Sequence, residues 1–167
     1  MPLLEPPDTH HLSAAIGWLE LGNPGEARAE LDQISSARQQ HPDVLEVRWL
    51  LCAEQCDWPA ALAAARAILK AAPDRASGWL HQAYALRRIP DGGVEKAWEA
   101  LLPAFEKFPK EVVIAFNLAC YGCQMNRLPE ARAWLRRALK IGGKKRIKEM
   151  AMRDSDLESL WEEIRSL

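Results

Sequence analysis

The side chains best suited to chemistry are four cysteines, which fall in two close pairs. Cys120 and Cys123 form a Cys-x-x-Cys, and Cys52 and Cys56 stand four residues apart, a spacing that suits one helix face. Four thiolates can make a zinc site, and a Cys-x-x-Cys is a redox motif where it opens a helix after a strand. Neither context is offered here. Cys120 and Cys123 fall inside a helical run with no strand before it. The pairs also lie on helices two structural units apart, and at about 8–10 Å per packed helix they cannot share an ion. Buried apolar thiols, no metal and no cofactor are the expectation, with a thiol or metal site kept as the lesser alternative.

Other catalytic patterns are missing. His10, His11, His41 and His81 have no carboxylate at a metal-ligand helical spacing. There is no Gly-x-Ser-x-Gly, no His-Glu-x-x-His and no glycine-rich phosphate loop. Glu46, Glu54, Glu158 and Glu162 fall on helix faces expected to be solvated. The sequence therefore reads as a non-enzyme.

One basic cluster stands out: Lys140, Lys144, Lys145, Arg146 and Lys148, beside Arg136 and Arg137. No aromatic residues interleave with it as a nucleic-acid platform requires. The charges of the whole chain nearly cancel, at −1, which argues against binding along a phosphate backbone. No run approaches the roughly 20 apolar residues of a membrane span. The first residues lack both a basic and an apolar signal-peptide region. A cytoplasmic setting that keeps thiols reduced is the expectation.

The elements that must position any site emerge from a repeat. Ala27, Ala61, Ala97 and Ala131 recur at spacings of 34, 36 and 34 residues. Leu31, Ala65, Leu101 and Leu135 follow one turn later, then Ile34, Ile68, Ala104 and Ala138. Upstream, Ala15, Trp49, Ala83 and Ala119 keep the same register. Four units of about 34 residues result, at residues 8–41, 42–75, 76–111 and 112–142, after a leader of residues 1–7. The two extra residues fall between Ala83 and Ala97, where Ile89-Pro90-Asp91-Gly92-Gly93 can absorb them. Each unit reads as two helices: 9–21 and 25–38 in the first, 112–125 and 129–141 in the fourth. Gly142-Gly143 stops the last of these. Residues 143–167 then supply capping helices, 144–152 and about 156–166, the latter opened by a Ser155/Glu158 capping box. Met150, Leu157, Leu160, Trp161 and Ile164 can cover the last apolar face, as a repeat array requires.

The spacing and the small residues at the helix crossings resemble tetratricopeptide repeats. Trp79, Ala83, Ala97, Leu101, Ala104 and Pro109 match that consensus in the third unit, and Trp58, Ala61, Ile68 and Pro73 in the second. Phe116-Asn117-Leu118-Ala119-Cys120-Tyr121 with Asp154-Ser155-Asp156-Leu157 looks like the closing segment of small bacterial proteins of this type. Trp49 departs from the pattern, at a crossing normally held by a small residue, and should hold the second pair further apart. The resemblance implies an all-α, right-handed α-solenoid of four repeats with C-terminal capping helices. It also implies a non-catalytic module that binds a protein or peptide segment.

In such a stack the first helices line a concave groove. The groove expected here is mostly apolar: Leu12, Ile16, Leu50, Leu80, Tyr84 and Phe116, with Glu46, His81, Arg87 and Asn117 among or beside them. Tyr84 and Phe116 should face one channel, with Arg87 free to meet an acidic group of the ligand. Family members that clamp a C-terminal carboxylate place Lys, Asn and Arg where this chain has Leu12, Ile16 and Val47, so that clamp is absent. Two other occupants stay open, the chain's own tail and a second copy in a self-assembling module.

Overall fold

A computed structural model describes residues 3–166. Among them it is all-α, of the helical-repeat solenoid class, and contains no strand. Ten α-helices follow in order: α1 (Asp8–Glu20), α2 (Pro24–Gln33), α3 (Pro42–Glu54), α4 (Trp58–Ala71), α5 (Ala76–Leu86), α6 (Val94–Lys107), α7 (Val112–Gln124), α8 (Leu128–Gly142), α9 (Lys144–Ala151) and α10 (Trp161–Ser166). The chain forms two compact units, one ending at Ala85 and the other beginning at Leu86.

Burial follows the repeat. Ala27, Ala61, Ala97 and Ala131 have no solvent exposure, and neither do Ala15, Ala83 and Ala119. Alanine lets two helix backbones approach closely, and a position with no exposed surface has no room for a larger side chain. The fourth crossing is tighter still. A Cβ on Gly122 would lie 3.0–3.1 Å from the Cβ, Cα and N of Ala131, so α7 presents bare backbone to α8.

The turns inside the repeats share one hydrogen-bonded closure. The amides of Asn23, Asp57 and Arg127 donate to the carbonyls of Trp18, Cys52 and Gly122, each at 2.8 Å, in the manner of a Schellman motif. The left-handed residue these closures need is Gly22 in the first, Cys56 in the second and Asn126 in the fourth. In the third, the amide of Gly93 reaches the carbonyl of Leu86 across two more residues. A Cβ on Gly92 would fall 1.8 Å from that carbonyl oxygen, so the longer loop closes only over glycine. Asn23 and Asp57 then cap α2 and α4 by accepting from the amides of Glu26 and Ala60.

In the first unit the core gathers Ala15, Ala27, Leu31, Ile34, Val44, Val47 and Leu51, with Leu12, Trp18 and Leu19 packed against it. Helix α2 stops at Gln33, short of the expected residue 38, because Ile34 turns extended and only a 3-10 turn follows at Ser36–Arg38. The buried carboxylate of Asp8 accepts from the Ser35 amide (2.8 Å) and hydroxyl (2.6 Å) and ties this bend to the start of α1. Those two bonds hold its pKa below the ordinary range. Trp49 is nearly buried, and its ring is turned onto α5.

In the second unit the tail seals the repeats. Ile147, Ala151, Leu157, Leu160 and Ile164 are all buried, and the Trp161 indole donates to the carbonyl of Ala151 at 2.9 Å. Its form differs from the expected helix over 156–166. Residues Ser155–Leu160 wind as a 3-10 helix before α10 begins, which turns Leu157 and Leu160 to the same side. The cap is Asp154, accepting from the amide of Asp156 at 3.0 Å, rather than Ser155.

Candidate functional site: the first-helix face

Within the first unit, α1, α3 and α5 each carry one large side chain left in solvent at the same repeat position. Ile16 is 40% exposed, Leu50 47% and Tyr84 38%. The residue before each of them, Ala15, Trp49 or Ala83, is buried, so this step of the sequence divides core from outer face. A recess of about 280 Å³ opens here, lined by Ile16, Leu19 and Leu50, with Glu20 and Glu54 at its edge. Leu12 and Leu80 are half-buried.

Beside this stripe lies a polar and aromatic cluster. The Glu46 carboxylate accepts from the Ser77 hydroxyl and lies 2.7 Å from His81 Nε2. His81 is stacked on Trp49, and Tyr84 meets both Trp49 and Trp58 at ring-centroid distances of 5.8 Å. Burial pushes the Glu46 carboxyl up, but the bonds from His81 and Ser77 outweigh it and leave its pKa lowered. Glu46 and His81, read from the sequence as groove residues, are thus partners of each other. Glu46 is not the solvated carboxylate the sequence suggested.

In the second unit the corresponding face is already occupied. Cys120 holds the position of Ile16, Leu50 and Tyr84, yet is only 3% exposed. Its thiol donates to an Asp154 carboxylate oxygen at 3.6 Å. Arg87 donates to both carboxylate oxygens of Asp156, one at 2.8 Å, and its guanidinium lies 5.7 Å from the Tyr121 ring centre. Gln124 reaches the Asp156 carbonyl at 3.4 Å. Arg87, expected to wait for an acidic ligand, is therefore paired within the chain. Phe116 is 6% exposed and borders a shallow recess with Met150, Arg153, Asp154 and Ser155; Asn117 is half-buried.

The thiols divide differently from the sequence reading. Cys56 lies beyond the end of α3, exposed, in the left-handed turn at φ 55°, and so shares no helix face with Cys52. Cys52 and Cys123 are half-buried. Cys120, Asp154 and Asp156 bring three potential ligand atoms within 4.8 Å of one another, a convergence invisible in the sequence. All three are engaged within the chain, the Cys120 thiol with Asp154 and Asp156 with Arg87. Burial and the two carboxylates hold the Cys120 thiol far above its ordinary pKa, and Asp156 is committed to Arg87. Of the basic cluster, Arg136, Lys140, Lys144, Lys145 and Arg146 are exposed, Arg137 lies over the Trp134 ring at 4.4 Å, and Lys148 donates to the Arg165 carbonyl. No helix among the described residues is long and apolar enough to cross a membrane.

Solved structures share this fold. A thermophilic tetratricopeptide-repeat protein of Thermus thermophilus, TTC0263, superposes with a TM-score of 0.72 at 17% identity, over 94% of this chain and 82% of its own. MamA superposes with a TM-score of 0.71 at 15% identity, over 83% of this chain and 80% of its own. The fold is that of a tetratricopeptide-type helical repeat. No family profile matches the sequence. No curated protein does either. Identities this low carry the fold and not the partner.

Proposed function

We propose that this tetratricopeptide-type chain is a non-catalytic interaction module that holds a segment of another protein on the first-helix face of its first unit. One observation carries the reading. Ile16, Leu50 and Tyr84 occupy a single position of three successive repeats and stay in solvent, whereas the fourth occupant, Cys120, lies under the tail. Aligned apolar side chains in solvent favour docking of an apolar partner, and a row of helices suits an amphipathic helix or an extended strand of chain. In the second unit Arg87 is paired and Phe116 buried, so the binding residues of this proposal are Ile16, Leu50 and Tyr84, with Leu12 and Leu80 beside them.

Affinity capture from the source cell tests this. Ile16→Ala combined with Leu50→Ala should remove the captured partner while circular dichroism and the melting curve stay near those of the parent. Arg136→Ala, on α8, should leave capture intact. Loss of the partner with Arg136→Ala and retention with the paired change would place docking elsewhere.

A further inference from the structure

We propose that the segment docking on this face is cationic as well as apolar: an amphipathic stretch whose aliphatic side chains enter the recess between α1 and α3 and whose Lys or Arg side chains meet Glu20 and Glu54. This rests on the function proposed above and adds the chemistry of the partner. Glu20 and Glu54 are repeat equivalents, each one helical turn beyond the exposed Ile16 or Leu50, and both line the recess. Both are exposed, and neither makes an ion pair or side-chain hydrogen bond among the described residues. Each is the last residue of its helix, with no basic residue in the final turn. A carboxylate there adds to the negative end of the helix dipole instead of opposing it. Two helix C-termini and two carboxylates thus surround one apolar recess.

The rest of the unit does not neutralise them. Residues 1–85 contain eleven acidic and six basic side chains, a net charge of −5. Arg28 is turned to Gln55, Arg48 to Asp32 and Gln39, and Arg75 to Asp43. The third repeat has Arg88 at the equivalent position, so the acidic edge belongs to the first two repeats. An acidic segment would meet repulsion here, whereas a basic amphipathic one gains both steering and a counter-charge.

The test uses the full chain and two fluorescein-labelled helical peptides sharing one leucine stripe, flanked by lysines in one and glutamates in the other. By anisotropy, the lysine peptide should bind at least about tenfold more tightly than the glutamate peptide, and Glu20→Lys with Glu54→Lys should reverse that order. Ile16→Ala with Leu50→Ala should weaken the lysine peptide by roughly tenfold. Equal binding of both peptides, or indifference to charge reversal, would overturn the cationic partner, while the function proposed above survives if the Ile16/Leu50 change still weakens binding. Binding of neither peptide would overturn both. Sedimentation of the chain alone closes the remaining case: a dimer that Leu50→Ala dissolves, and that the lysine peptide does not displace, would make the occupant a second copy and sink the proposal.

Discussion

The Trp49 indole and the His81 imidazole lie one upon the other, ring centroids 3.7 Å apart and planes within 12° of parallel. Trp49 stands where the other three repeats have alanine, and the sequence suggested that it would hold a helix pair apart. The large ring serves as a platform for His81 of α5, whose Nε2 meets the half-buried Glu46.

Glu46 gives stability a pH dependence. Its carboxyl is raised by burial but lowered further by the bonds from His81 and Ser77, so its folded-state pKa lies under the ordinary 4.5. A depressed carboxyl contributes stability that is in place above pH 4.5 and fades as pH falls through the lowered value. The melting temperature should decline below that point, and Glu46→Gln should flatten the decline. At pH 7 the same change should cost on the order of 1 kcal/mol, from two weakened charge-assisted bonds.

Glu20 and Glu54 should show the opposite balance. Because each carboxylate is repelled by the negative end of its helix dipole, Glu20→Lys and Glu54→Lys should each stabilise the chain by about 0.3–1 kcal/mol at low salt. Thermal melts at low and high ionic strength would read this, with the gain shrinking as salt screens it. A loss of stability would mean that the carboxylates have partners in solution.

The crossings set the packing tolerance. Ala61→Leu should overpack the α3–α4 crossing and cost roughly 1–3 kcal/mol in urea denaturation. Gly122→Val should cost at least as much, since its Cβ position already lies 3.0–3.1 Å from Ala131.

Thiol reactivity should separate the cysteines. Cys56 is exposed in its turn, whereas Cys120 is buried with its thiolate disfavoured by burial and by Asp154 and Asp156. A maleimide should label Cys56 within the dead time of a slow assay and Cys120 only on unfolding. Labelling at Cys120 under native conditions would show that the tail opens.

The sequence makes the repeat legible because alanine at a crossing is a steric requirement that recurs with the fold's own period. Ala27, Ala61, Ala97 and Ala131 mark it, and the insertion is readable because glycines must close the longer loop at Gly92-Gly93. The tail was legible as a cap through Leu157, Leu160 and Ile164, but not through its polar half. That Asp156 would take Arg87, and Asp154 the Cys120 thiol, depends on contacts 69 and 34 residues apart, which no periodicity reports. Cys56 misled because an i, i+4 spacing is meaningless once the helix ends at Glu54.

The most direct measurement is site-specific photo-crosslinking in the source cell, with benzoylphenylalanine placed at position 50 or at position 136. A docking face on α1, α3 and α5 should yield a discrete heavier adduct from position 50, lost when Glu20→Lys and Glu54→Lys are added, and none from position 136. An adduct from position 136 with none from position 50 would contradict the account.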